Sequence, residues 1–248
     1  MKGIILAGGY ATRLHPLTID QPKHLLPIAN RPMMEYLLDE LQPLDIDTYY
    51  LVTNEKFASH FTKWVATLPA EWREKLVVVN DNTSSNEDRL GSLGDIMFTI
   101  EKYQIEDDLF IIGADNLTDF AFQKLIDAFE EHKHPVVGVY DVKDLHLAKE
   151  FGVIEVNDLG VIASFAEKPQ QPKSTLVSTL FYILPEDCFA VLAECVASGK
   201  TDKAGFLVEA LVRRGHVYVV SHDGHWFDIG THDTYKQAQN FMASRLGN

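Results

Sequence analysis

Short apolar runs alternate with amphipathic stretches along the first part of the chain, and this alternation limits the fold more than any other feature. Ile4–Leu6, Tyr49–Val52, Leu76–Val79, Leu109–Ile112 and Val136–Tyr140 read as buried strands. Between them, Met33–Leu44 carries Met34, Leu37, Leu38 and Leu41 at helical spacing. Lys56–Leu68 and Leu93–Tyr103 also read as helices, and Phe122, Leu125, Ile126 and Phe129 mark a further one. Strand and helix in turn imply a mainly parallel sheet covered by helices on both faces.

Near residue 150 the pattern changes. Gly152–Val156 and Val161–Phe165 flank Asn157-Asp158-Leu159-Gly160 and predict a hairpin. Leu176–Leu184 reads as a strand, and helices follow near Asp187–Ala197 and Phe206–Arg213. Val217–Val220 and Trp226–Ile229 read as short strands and Thr231–Ser244 as a last helix. No repeat or flexible linker interrupts the chain, so a single α/β domain over residues 1–248 is expected.

With 36 acidic and 22 basic residues the net charge is −14, which argues against nucleic acid or an anionic membrane surface as partner. No apolar run approaches the ~18 residues of a membrane span. Cys188 and Cys195 fall in one expected helix, where a rise of ~1.5 Å per residue separates them by about 10 Å, beyond disulfide reach. Free thiols, and an N-terminal run too short for a signal peptide, lead to a cytoplasmic expectation.

In open α/β sheets ligands bind beyond the carboxyl ends of the strands, and five segments carry polar groups there. The first strand runs into Leu6-Ala7-Gly8-Gly9, followed by Thr12 and Arg13: a glycine turn for close backbone approach, then a hydroxyl and a cationic fork suited to an anion. Pro22-Lys23-His24-Leu25-Leu26-Pro27 holds a lysine between prolines. Ile111-Ile112-Gly113-Ala114-Asp115-Asn116 ends an apolar run in a carboxylate. Glu167-Lys168-Pro169 and Trp226-Phe227-Asp228-Ile229-Gly230-Thr231 add a glutamate, a lysine and a second aspartate. Separated carboxylates with several cations suit phosphoryl or nucleotidyl transfer, because carboxylates hold Mg²⁺ against phosphate and cations offset its charge. Each piece alone has an ordinary structural explanation, such as a helix cap for Asp115. His222 and His225 are a weak zinc signal without further ligands nearby. The first glycines do not continue as G-x-G-x-x-G, and no G-x-x-x-x-G-K-[ST] occurs.

Taken in order, these segments, with Leu90-Gly91-Ser92-Leu93-Gly94 and Phe151-Gly152-Val153, closely resemble the sugar-1-phosphate nucleotidylyltransferases, nearest to the glucose-1-phosphate thymidylyl- and uridylyltransferases. The resemblance runs from Met1 to about residue 244. It implies a Rossmann-like mixed α/β sheet of the nucleotide-diphospho-sugar transferase type. Residues 1–150 would form the nucleotide-binding half and 151–248 the sugar-phosphate half. It also implies that Leu6, Ala7, Gly8, Gly9, Thr12, Arg13, Lys23 and Gly91 bind the nucleoside triphosphate. Asn116, Gly152, Glu167, Lys168 and Val177 would bind the sugar 1-phosphate, and Asp115 and Asp228 a Mg²⁺ ion. Arg13, Lys23 and Lys168 would be the catalytic cations.

The expected reaction is in-line attack of a sugar phosphate, glucose 1-phosphate first, on dTTP or UTP. Two alternatives remain: a nucleotide-binding regulatory homologue without turnover, and a phosphocholine-type cytidylyltransferase. Self-association into a homo-oligomer is left open. The chain departs from the family in three places. Ala11 stands where glycine is usual. The loop Asn80–Arg89 is long and lacks the base-reading glutamine, for which Asn82 is the candidate. Ser178-Thr179-Leu180 replaces a glycine-containing strand beside the sugar.

Overall fold

The computed structural model describes residues 1–246. The first half alternates as expected. Strand β1 (Lys2–Leu6) is followed by a two-residue hairpin, β2 (Pro27–Ile28) and β3 (Arg31–Pro32), and by helix α1 (Met33–Leu41). Then come β4 (Tyr49–Thr53), α2 (Glu55–Val65), α3 (Ala70–Lys75), β5 (Leu76–Asn80), α4 (Ser92–Tyr103), β6 (Leu109–Gly113), β7 (Asn116–Thr118), α5 (Gln123–His132) and β8 (Val136–Asp141). The second half comprises α6 (Leu145–Ala148), β9 (Gly152–Val156), β10 (Ile162–Glu167), β11 (Leu176–Leu184), α7 (Phe189–Ala197), α8 (Gly205–Val212), β12 (Tyr218–His222), β13 (Trp226–Asp228) and α9 (His232–Leu246).

Among the described residues one nine-stranded sheet takes strands from both halves, in the order β10-β9-β11-β6-β1-β4-β5, with β8 on β11 and β12 on β8. Pairing is parallel for β1 with β4 and β6, for β4 with β5, and for β8 with β12. It is antiparallel where β11 meets β6, β8 and β9, and in the β9–β10 hairpin. The sheet is therefore mixed because the returning β11 runs against its neighbours.

Strand periodicity sorts the core. Ile5, Leu51, Phe110 and Ile112 face one layer with α1, α2 and α5. Ile4, Leu6, Val52, Leu109 and Ile111 face the other with α4, α7 and α8. A smaller cluster of Leu14, Leu26, Ile28, Met33, Leu117, Ile229 and Tyr235 lies beneath the loops. It anchors the segments that carry Lys23, Asp115 and Asp228.

Three readings are corrected. The first helix stops at Leu41 and the second at Val65. The ribbon of β7 with β13, absent from the sequence reading, pairs Asn116 with Asp228 antiparallel. Cys188 sits at the N-cap of α7 rather than inside it; it and the buried Cys195 are both free thiols. No helix among the described residues is long and apolar enough to cross a membrane.

Candidate active site

The loop after β1 is held by backbone and by one side chain. Ala7 N–H donates to the Val52 carbonyl at 2.8 Å, and Asn54 Nδ2 donates to the Gly8 carbonyl at 2.9 Å. Neither Gly8 nor Gly9 has positive φ; the left-handed residue is Ala11, at φ 48°. The Thr18 hydroxyl holds it by donating to the Ala11 carbonyl at 2.8 Å. Gly8 is needed for a different reason, since a Cβ there would lie 2.8 Å from Asp95 Oδ2. Gly91 opens α4 at φ 79°, and a Cβ on it would strike the backbone of Thr201 at 2.6 Å.

This loop walls a cavity of about 350 Å³ lined by Leu6, Gly8, Gly9, Thr12, Arg13, Lys23 and Gly91, all expected nucleotide residues. Ala7 lies buried behind the wall. Asn82 is corrected: it is exposed at φ 64°, its N–H donates to Asn80 Oδ1 at 2.9 Å, and it is not among the lining residues. The turn that Asn80 closes directs Asp81 inward instead. Asp81, Asn86, Arg89 and Asp95 line the cavity, and none of them was singled out from sequence. The signal available was Asp95, a carboxylate in an otherwise apolar stretch of α4.

Asp81 and Asp95 are both 6% exposed, and Asp95 Oδ1 is buried without a partner. Burial first, then the charge and hydrogen bond of Asp81, pushes the Asp95 carboxyl up to about 8. Asp95 is therefore favoured in its protonated form beside Asp81 at neutral pH.

A second cavity of about 220 Å³ adjoins the first. Its lining includes Asn116, Gly152, Glu167, Lys168 and Asp228 from the expected set. Val177 is corrected: it is fully buried against Ala148 and Val153, while Ser178 and Thr179 reach the cavity. Strand alternation turns Val177 to the core face. Glu167 sits in a seat made by two glycines: a Cβ on Gly205 would lie 2.1 Å from its Oε2, and one on Gly152 3.3 Å away. Lys203, missed from sequence, approaches Glu167 Oε1 at 3.8 Å. Lys168 adopts φ 48°, its N–H bonded to the Phe151 carbonyl at 3.0 Å. Neither Arg13 nor Lys168 forms an ion pair among the described residues, unlike Lys23.

The two cavities meet at Asp115. Lys23 Nζ donates to Asp115 Oδ2 at 2.8 Å and to the Ile229 carbonyl at 3.2 Å. Burial alone would raise the Asp115 carboxyl, but the Lys23 ammonium, by charge and hydrogen bond, brings the net shift below the usual value. Across the β7–β13 ribbon Asp228 is pushed up to about 6, by burial first and then by the charge of Asp115. His24, buried beside Lys23, is driven down to about 3 by burial and by the Lys23 charge, and is neutral. Asn116 is held on three sides. Its Nδ2 donates to the Gly113 carbonyl and to Asp115 Oδ1, and Trp226 Nε1 donates to its Oδ1 at 2.7 Å.

Among the described residues no group of three or more His, Cys, Asp or Glu is placed to hold a metal. Asp115 and Asp228 are two hard-oxygen donors whose mutual repulsion an ion would relieve. Such a pair suits a divalent cation that takes its remaining ligands from phosphates and water. His222 and His225 do not point at such a centre; both meet Asp119 at 3.0 Å.

Two contiguous cavities, each with lysine or arginine side chains set among carboxylates, open off this α/β sheet beside its glycine loop. The chain belongs to the nucleotidyl transferase family, whose pattern matches residues 2–245. A Sulfolobus acidocaldarius protein assigned as a mannose-1-phosphate guanyltransferase is 30% identical over 95% of this chain, and the chain spans 61% of that relative's length. In three dimensions the chain is similar to a Bacillus anthracis protein assigned as a glucose-1-phosphate thymidylyltransferase, with TM-score 0.83 and 25% identity over 97% of this chain and 94% of that one. It is also similar to a UDP-glucose pyrophosphorylase bound to UDP-glucose, with TM-score 0.84 and 22% identity over 98% of both chains.

Proposed function

We propose that this chain is a sugar-1-phosphate nucleotidyltransferase. The observation that supports it best is the meeting of the two cavities at Lys23, Asp115 and Asp228, with Arg13 lining one and Lys168 the other. In the proposed reaction an oxygen of the sugar 1-phosphate forms a bond to the α-phosphorus of the nucleotide. The bond from that phosphorus to the leaving pyrophosphate breaks in line. The nucleophile is already an anion near neutral pH, so no general base and no covalent intermediate are needed.

The protein's task is then to bring two anions together. Arg13 and the loop N–H groups take the triphosphate, Lys23 the α-phosphate and leaving group, and Lys168 the sugar phosphate. Glu167 accepts hydrogen bonds from sugar hydroxyls. Asp115 and Asp228 would hold Mg²⁺, which when bound would offset phosphate charge between the substrates.

For the base, dTTP or UTP is the first reading, with glucose 1-phosphate as acceptor. GTP is the second, favoured by the relative's description. A carboxyl pair sharing one proton complements a base edge that presents a carbonyl beside an N–H, which thymine, uracil and guanine have and cytosine and adenine lack. A matrix of five nucleoside triphosphates against glucose, mannose and galactose 1-phosphates, with phosphocholine as a control, decides between these readings. A phosphocholine-only product would overturn the proposal.

A further inference from the structure

One strand carries a break that the sheet does not need. β11 pairs with β8 through Leu176–Ser178 and again through Tyr182–Ile183, with a register shift between. Inside the break Leu180 stands at φ 60°. Glycine takes that conformation freely, whereas a Cβ and branched side chain disfavour it. Both flanks are pinned. Thr179 Oγ1 donates to the Gly138 carbonyl at 2.8 Å, and the Ser178 and Tyr182 hydroxyls bond across the break at 2.6 Å. Backbone strain maintained in this way points to a use for the side chain.

The position of that side chain says what the use is. Among the described residues only Ser92, Asp115 and Leu180 line both cavities, and Leu180 is the apolar one. Its isobutyl group lies over Gly113, where an added Cβ would come within 2.9 Å of Leu180 Cδ2. The junction is where the anomeric phosphate must lie if the two cavities hold the two substrates. The sugar atoms nearest that phosphate are the anomeric carbon and its two ring neighbours, O5 and C2, and of these two only C2 carries a substituent. A polar group pressed on an apolar wall loses its water and gains no partner, and a bulky one meets a strand fixed on both sides.

We propose that Leu180 is a specificity-determining residue of the acceptor site, limiting it to sugar 1-phosphates with a compact substituent at C2: a plain hexose 1-phosphate is admitted and an N-acetylhexosamine 1-phosphate is rejected. This rests on the nucleotidyltransferase reading above. The test is kcat/KM for glucose 1-phosphate against N-acetylglucosamine 1-phosphate, with the best nucleoside triphosphate, in wild type, Leu180→Gly and Leu180→Ala. Wild type should favour the plain sugar by at least ~10-fold, the range open to one misfitting group in an apolar pocket. Leu180→Gly should narrow that ratio at least ~10-fold, through a lower KM for the N-acetyl substrate. Leu180→Ala, which keeps the left-handed Cβ, should narrow it less, and it carries the test if the glycine variant does not fold. An unchanged ratio in a folded variant, or a wild type that uses both sugars equally, overturns the proposal alone. A wild type inactive with every substrate pair overturns the functional reading as well.

Discussion

Lys23 is the residue on which the two cavities turn. It is nearly buried, its ammonium is held by Asp115 and by the Ile229 carbonyl, and its neighbour His24 is kept neutral, so one positive charge is fixed at the junction. Asp115→Asn should leave the fold intact and cut turnover by at least ~10²-fold, the scale of losing one main electrostatic stabiliser; steady-state pyrophosphate release reads it. Lys168→Ala should act on the other substrate. Its contact with the sugar phosphate should show as a raised KM, or as a lower kcat if the contact tightens during transfer, with nucleotide binding by calorimetry unchanged. Asp95 predicts a stability effect instead. Its carboxyl, at about 8 when folded, ionises near roughly 4 in an unfolded chain. Between those values the folded protein holds a proton that the unfolded chain has released, so stability falls as pH rises across the window. Asp95→Asn should therefore match wild type near pH 4 and melt higher at pH 8, where each ~1 kcal/mol is worth about 2–4 °C at this size. Parallel melting curves across that range would show that Asp81 and Asp95 share no proton.

At the scale of elements, the loop after β1 depends on the start of α2. Asn54 caps that helix by accepting from Phe57 N–H at 3.1 Å, while its amide donates to Gly8. Asn54→Ala removes both at once. It should destabilise the protein by ~1–3 kcal/mol and raise the nucleotide KM more than the sugar-phosphate KM, measured by thermal melting and initial rates. The central strands of the main sheet were legible because they are short apolar runs buried on both faces, as Leu109–Ile112 is. The β7–β13 ribbon was not, because three-residue strands have no period to read and their pairing joins residues about 110 positions apart. The ribbon nevertheless sets Asp228 beside Asn116 and Asp115. The carboxylates were thus visible in the sequence as strand-terminal residues, while the device that brings them together was not. Asn82 failed for a local reason. An Asx-type turn at Asn80 reverses which side chain faces inward, and residue spacing does not reveal that. Val177 takes the core face and Ser178 the cavity face by alternation, and the register break after Ser178 lets Thr179 reach the cavity as well.

Over the whole molecule, the proposed reaction asks a chain of net charge −14 to attract two anions. It does so locally: Arg13, Lys23, Lys168 and Lys203 line two adjoining cavities, and at physiological salt charges beyond ~8 Å are screened. The sheet ties both cavities together, because β6 carries Gly113 toward Asp115 on one side and pairs with β11 on the other. Ordered motifs along the sequence sufficed for the family. The proposed base and sugar choice rests on Asp81, Asp95 and Leu180, which stand out by burial and backbone conformation and not by residue type alone. The central claim is that one site joins two substrates, and the dependence of pyrophosphate release on both tests it most directly. Purified protein with Mg²⁺ and a nucleoside triphosphate should release pyrophosphate only when a sugar 1-phosphate is added, in amounts equal to the nucleotide-sugar formed. Tight nucleotide binding with no pyrophosphate from any sugar 1-phosphate would contradict the account and leave a binding protein in its place.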